Sequence, residues 1–273
     1  MRTSIRDWLQ NAERELREAG FESSSLEAQL LLAHALGVER EKLFPIEDEI
    51  FDSSQADSLL ARRLKGEPIA YILGYKEFYG RRFFVNRHVL IPRPESEILV
   101  QCALEILRSG MCAADIGTGS GNLAITLALE KPSVYWIATD ISEQALRVAK
   151  ENASRFSVKM QFLLADLLSA FRERSLDVIV SNPPYVSFDD PLLEQGVRNW
   201  EPSVALFAER GISKIERLIK DASRVLKPGG ALLFEFGMRQ LDAIRKLIPE
   251  HFHVRIEQDL SGIPRVACLH FRE

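Results

Sequence analysis

Cys112-Ala113-Ala114-Asp115-Ile116-Gly117-Thr118-Gly119-Ser120-Gly121-Asn122 is the stretch that decides the fold. A short, mostly apolar run stops at three alternate glycines, and helical spacing resumes over 122–129. A strand that passes through a tight turn into a helix opens a βαβ unit. Glycines at that turn let the backbone bend sharply and approach a ligand with no Cβ in the way.

Outward from this turn, helix and strand patterns alternate. A helix over 97–107 leads to the strand at 112–116. After the helix at 122–129 come a strand at 135–139, a helix at 143–151, and strands at 160–164 and 176–180. A helix over 212–226 ends at Lys227-Pro228-Gly229-Gly230, ahead of a strand at 231–236, a helix at 240–248 and strands at 253–257 and 266–271. The alternation predicts an α/β domain over 95–273, a Rossmann-like, mostly parallel sheet with helices on both faces. No helix separates the last two strands, so the last strand is expected to be antiparallel.

Upstream the pattern is different. Over 1–75, Ile5, Trp8, Leu9, Ala12 and Leu16 recur at helical spacing before Gly20. Ser24-x-x-Glu27 reads as a capping box for a helix ending at Gly37, and Asp52 or Ser53 as the cap of a third helix ending near Gly66 and Pro68. Strand-like alternation is absent, which predicts a small N-terminal helical-bundle domain. Between the domains, over 76–94, Gly80-Arg81-Arg82 is flanked by Phe78, Tyr79, Phe83, Phe84 and Val85 and reads as a β-hairpin linker.

Composition narrows the function. The 273 residues are 46% hydrophobic and 27% charged, which suits an ordinary globular protein. No apolar run approaches the roughly 18 to 20 residues that span a bilayer. The N-terminus is charged throughout and has no signal-peptide centre, so a cytoplasmic protein is expected. Cys102, Cys112 and Cys268 are widely spaced, and His251 and His253 lack acidic or thiol companions, so neither disulfides nor a metal are expected. The net charge is −4, and residues 1–75 carry nine Lys/Arg against fourteen Asp/Glu. An acidic module suits a basic protein partner, and direct nucleic-acid binding is not expected.

Two motifs carry chemistry. Asp140 follows the second strand of the α/β domain, 23 residues after Gly117, where a carboxylate accepts hydrogen bonds from ribose hydroxyls. Asp166 ends the third strand, placed to contact an adenine amino group. The spacing Gly117-x-Gly119-x-Gly121 departs from the dinucleotide Gly-x-Gly-x-x-Gly, and Asp115 just before it opposes a pyrophosphate. Asp115 suits an ammonium group instead, which favours S-adenosyl-L-methionine, with S-adenosyl-L-homocysteine as its product.

The second motif is Asn182-Pro183-Pro184-Tyr185, directly after the fourth strand. Consecutive prolines fix the backbone and stop strand or helix from continuing. That rigidity can hold the Asn182 side-chain oxygen and the Pro183 carbonyl toward one spot, two acceptors for the two N–H bonds of an NH2 group. Tyr185 offers a flat face to a planar substrate. Transfer of a methyl group to a planar amide-type nitrogen follows, with no obligate side-chain base. Glutamine and adenine both present such an NH2, so an adenine-N6 methyltransferase on RNA or DNA, or an enzyme acting on a ribosomal-protein glutamine, remains an alternative at this point.

Together these residues resemble the release-factor glutamine methyltransferases, the HemK/PrmC family. Phe78-Tyr79-Gly80, Ile91-Pro92-Arg93-Pro94-Glu95-Ser96-Glu97, the glycine loop, Asn182-Pro183-Pro184-Tyr185, Glu201-Pro202 and residues 259–266 carry the likeness over nearly the whole chain. The resemblance implies methyl transfer to the side-chain N5 of the glutamine in the Gly-Gly-Gln motif of peptide chain release factors; a monomer is expected. It implies cofactor contacts at Gly117, Thr118, Gly119, Ser120, Gly121, Asp140 and Asn182, with the glutamine held by Asn182, Pro183, Pro184 and Tyr185 as catalytic and substrate-binding residues; Asp166 and Leu167 are expected to join the cofactor contacts. Leu167 stands where an aromatic residue is common, which weakens adenine packing, and Ser96 stands where Thr is commoner.

Overall fold

The computed structural model describes residues 2–191 and 193–272, and the chain divides into two units after residue 74. In the first, β1 (Arg2–Ser4) leads into α1 (Ile5–Glu18). Ser4 caps that helix by accepting the Asp7 N–H at 3.0 Å. The stripe of Ile5, Trp8, Ala12 and Leu16 is buried, as its spacing requires. α2 (Ser24–Leu36) closes at Gly37, whose φ of 66° is a left-handed cap conformation. β2 (Ile50–Asp52), α3 (Ser54–Leu64) and α4 (Ile69–Leu73) complete the unit around Leu16, Leu31, Leu32 and Leu60.

Two expectations for this unit need correction. β1 and β2 pair antiparallel, Arg2 with Asp52 through Ser4 with Ile50. Strands of three residues are too short to show alternation. The capping box does not form. Glu27 instead accepts two hydrogen bonds from Arg63, at 2.7 and 3.0 Å, and a charged two-point pair outcompetes a reciprocal cap.

The second unit opens with the hairpin β3 (Tyr75–Phe78) and β4 (Arg81–Phe84). Tyr79 and Gly80 both have positive φ, 50° and 70°, as a two-residue hairpin turn demands. Phe78 and Phe83 are buried with Leu99, Leu123 and Trp136, so the hairpin is packed into this unit's core. Buried Asn152 ties it further: its Oδ1 accepts the Phe84 N–H at 2.8 Å, and its Nδ2 donates to Phe84 O and Ser120 O.

There follow α5 (Glu97–Ile106), β5 (Cys112–Ile116), α6 (Asn122–Glu130), β6 (Tyr135–Asp140), α7 (Glu143–Arg155), β7 (Gln161–Leu164), β8 (Leu176–Ser181), α8 (Gln195–Trp200), α9 (Ser203–Leu206), α10 (Ser213–Val225), β9 (Leu226–Glu235), α11 (Leu241–Leu247), β10 (Phe252–Gln258) and β11 (Pro264–Phe271). Seven strands form one sheet in the order β10-β11-β9-β8-β5-β6-β7. β5 to β9 run parallel, and β11 inserts antiparallel between β9 and β10. The expected Rossmann-like sheet with an antiparallel last strand is the observed one. Neighbouring strand residues feed opposite faces: Ala113, Val178 and Leu233 meet α5 and α6, whereas Ala114, Ile179 and Leu232 meet α10 and α11.

Lys227-Pro228-Gly229-Gly230, expected to separate the helix from a strand at 231–236, already belongs to β9. Its register against β8 shifts between Leu176 and Val178, and a Cβ at Gly230 would lie 2.9 Å from Asp177 O. The run is therefore an irregular strand entry that glycine permits. The aperiodic stretch over 186–208 holds α8 and α9, of six and four residues, too short for a period to register.

Candidate active site

β5 and β8 are parallel neighbours, with Ile116 paired to Ser181. Gly117 and Asn182 are each one residue past that pair, so the glycine loop and the Asn-Pro-Pro-Tyr run leave the sheet side by side, about 5 Å apart. β6 lies on the other side of β5. The crevice thus opens where the strand order reverses, the place at which such sheets take ligands.

A cleft of about 950 Å³, open mouth included, lies there. Of the residues expected to hold a cofactor, Gly117, Thr118, Gly119, Ser120, Asp140, Asp166, Leu167 and Asn182 line it. Gly121 does not. It opens α6 with a φ of 81°, and a Cβ there would meet Ile125 Cδ1 at 2.8 Å and Ala149 Cβ at 3.3 Å. Gly117 and Gly119 also have positive φ, but a Cβ at either would enter open space. A second recess, lined by Pro183, Tyr185, Val197 and Leu206, shares Leu90, Arg93, Asn182 and Ala205 with the first. Pro184 lines only the first. Asn182 therefore stands at the border between the two cavities.

The acidic residues divide by role. Asp140 accepts the Gly119 N–H on Oδ2 and the Ser142 N–H on Oδ1, both at 2.9 Å, and a carboxylate has room for about four donors. Burial raises its pKa. Asp166 lines the cleft in ion pairs with Arg217 at 2.8 Å and Lys214 at 3.6 Å. Burial pushes its carboxyl up, but the Arg217 hydrogen bond and the two cations outweigh this and hold it below its ordinary value. Leu167 beside it has a φ of 51°.

Asp115 departs from expectation. It is fully buried and is not among the cleft's lining residues. Its Oδ2 accepts from Thr118 Oγ1 at 2.7 Å and Ala124 N at 3.3 Å, while Oδ1 has no partner. Burial pushes its pKa up to about 7, against those two hydrogen bonds. It braces the glycine loop from within, because the loop closes over the carboxylate before any ligand reaches it.

On the acceptor side, Asn182 Nδ2 donates to Ser96 Oγ at 3.0 Å. Ser96 Oγ donates to Glu235 Oε2 at 2.5 Å, and Tyr185 OH donates to Glu235 Oε1 at 2.8 Å. Glu235 ends β9, fully buried, and burial raises its pKa against those two donors. Among the described residues, no protein donor meets Asn182 Oδ1 or the Pro183 carbonyl. Glu201 is buried and accepts from Ile91 N at 3.0 Å and from Arg93 at 2.5 Å, which ties the Pro92-Arg93-Pro94 loop to the 186–208 segment. Gln240 Nε2 donates to Tyr185 O at 2.7 Å and to Gly211 O at 3.0 Å.

Glu235, Asn152 and Gln240 were not anticipated. A lone carboxylate in the apolar run Ala231-Leu232-Leu233-Phe234-Glu235-Phe236 was the available signal for the first.

Known proteins bear on this arrangement. Residues 7–74 match the family model described as PrmC N-terminal domain, and residues 94–193 match Methyltransferase small domain. The release factor glutamine methyltransferase of Koribacter versatilis is 41% identical over 271 residues, covering 96% of this chain and 97% of that one. That of Neisseria gonorrhoeae is 43% identical, covering 88% and 91%. The crystal structure of a methyltransferase from Pyrococcus furiosus shares the fold, with a TM-score of 0.55 and 21% identity over 79% of this chain and 98% of that one. A methyltransferase fold and kinship along both units lead to one assignment: the chain belongs to the release factor glutamine methyltransferase family.

Proposed function

We propose that this enzyme methylates the side-chain amide nitrogen of the glutamine in the Gly-Gly-Gln motif of peptide chain release factors, with S-adenosyl-L-methionine as donor. The observation that carries the reading is the position of Asn182, on the border between a cofactor-sized cleft and a second recess, with Oδ1 unclaimed among the described residues.

The cleft suits the donor. The open space beside Gly117 and Gly119 is a cradle that a Cβ would fill, Asp140 keeps room for a ribose hydroxyl, and Ile141, Leu167 and Val204 supply apolar wall. When bound, S-adenosylmethionine supplies an electrophilic methyl on a sulfonium and leaves as S-adenosylhomocysteine.

An amide nitrogen is a poor nucleophile because its lone pair is delocalised, so orientation does most of the work. Asn182 Oδ1 and the Pro183 carbonyl accept its two N–H bonds, and these hydrogen bonds strengthen as positive charge develops on nitrogen. The Tyr185 ring packs on the planar amide. The proton becomes acidic only as the methyl arrives and passes to solvent water, so no side-chain base is needed. The enzyme acts as a monomer in the cytoplasm, without direct contact to nucleic acid.

The test offers labelled S-adenosylmethionine with a release factor, the same factor carrying Gly-Gly-Ala, or RNA and DNA oligonucleotides. Label entering only the unaltered factor supports the reading. Label entering adenine would leave the fold in place and overturn the substrate.

A further inference from the structure

Glu235 is buried at the end of a strand and receives two hydroxyls, one on each oxygen, and among the described residues no cation is bonded to it. Buried carboxylates are costly and are kept where they do something. The direction of the hydrogen bonds shows what this one does. Both oxygens of Glu235 are met as acceptors, Oε2 by the Ser96 hydroxyl and Oε1 by the Tyr185 hydroxyl. The Ser96 hydroxyl must then spend its single proton on Glu235, so Ser96 Oγ can meet Asn182 only as an acceptor. It therefore takes the NH2 end of the Asn182 amide, which leaves the carbonyl end, on a residue that lines both cavities, without a protein donor among the described residues.

We propose that Ser96 and Glu235 are positioning residues that fix the orientation of the Asn182 amide and so make the site select a donor nitrogen. An Asn flipped by 180° would present NH2 and would hold a carbonyl or carboxylate oxygen in place of the reacting nitrogen. Glu235 also anchors the Tyr185 hydroxyl, so one carboxylate aligns both the amide and the ring of the acceptor motif. Arg265 and Glu95 face the same carboxylate with opposite charges, Arg265 favouring its ionised form and Glu95 opposing it. In Glu235→Gln, the new amide donates to one of the two hydroxyls. When that hydroxyl is Ser96, its proton is freed to point at Asn182 and the flip becomes favourable.

The inference rests on glutamine being the acceptor, so one readout is chosen that does not need turnover. In 15N-labelled enzyme, the Asn182 side-chain NH2 is the pair of resonances missing from Asn182→Asp. Loss of its bond to Ser96 is expected to speed its hydrogen exchange at least about tenfold in Ser96→Ala and in Glu235→Gln. Ser96→Thr, which keeps the hydroxyl, is expected to retain the slow exchange. The second readout is methylation of a purified release factor at saturating S-adenosylmethionine. Both disruptive variants are expected to lose about tenfold to a hundredfold in kcat, with the cofactor Kd and the KM for the factor within about threefold. Ser96→Thr should recover most of the rate. Unchanged amide exchange in Ser96→Ala overturns the proposal even where Glu235→Gln fails to fold. A wild-type enzyme that ignores the release factor, yet shows the exchange pattern, overturns the substrate reading and leaves the relay standing.

Discussion

Asp115→Asn gives a quantitative test of how the glycine loop is built. The carboxyl is fully buried, one oxygen is unpartnered, and its pKa is raised from 3.8 to about 7. A raised acid pKa means that the folded chain holds its proton more tightly than the unfolded chain. Its contribution is therefore most favourable below 3.8 and is lost progressively as pH rises through about 7. Each unit inside that window costs about 1.4 kcal/mol, so the loss between pH 5 and pH 8 comes to about 2.5 kcal/mol. Asparagine cannot ionise and keeps an oxygen to accept from Thr118 and Ala124. Urea unfolding of both proteins in the absence of cofactor, at pH 5, 6, 7 and 8, isolates the group, because other titrations cancel in the difference. The stability of Asp115→Asn relative to wild type should rise by about 2.5 kcal/mol across the series, levelling above pH 7. A difference that stays flat with pH would mean that Asp115 titrates normally and is not desolvated as described.

Three further outcomes follow from the same structure. Gly121→Ala should cost at least about 2 kcal/mol in denaturant melts, because a strained φ and a 2.8 Å approach to Ile125 add together, whereas Gly117→Ala carries only the backbone cost of about 1 kcal/mol. Asn152→Ala leaves the Phe84 and Ser120 backbone groups without partners and is expected to lower stability by about 2 to 4 kcal/mol, with weaker S-adenosylmethionine binding by calorimetry. Glu201→Gln keeps an acceptor for Ile91 but removes the charge opposite Arg93. It should raise the KM for the release factor several-fold while shifting Tm by only a few degrees.

What the sequence showed and what it hid separate along a physical line. The glycine loop, the strand-end aspartates and the Asn-Pro-Pro-Tyr run were readable because each is a local pattern whose meaning depends on the next few residues. The seven-strand sheet was readable because its strands alternate with helices of sufficient length. The hidden parts depend on distant partners. Ser96 and Glu235 are 139 residues apart, and Asn152 reaches back 68 residues to Phe84. Glu27 looked like a cap because its local context allows one, yet Arg63, 36 residues on, claims it. Asp115 was assigned to a ligand because its neighbours are loop residues, but the same loop closes over it. Competition between local and long-range partners is settled by packing, which a single chain's pattern does not display.

Asn182 is proposed to direct a methyl group onto a release-factor glutamine. Tandem mass spectrometry of a release factor incubated with S-adenosylmethionine and either the wild-type enzyme or Asn182→Ala tests it most directly. One added methyl on the side-chain nitrogen of the Gly-Gly-Gln glutamine is expected with wild type and none with Asn182→Ala, although that variant should still bind the cofactor. A methyl on another residue, or an unchanged yield from Asn182→Ala, would contradict it.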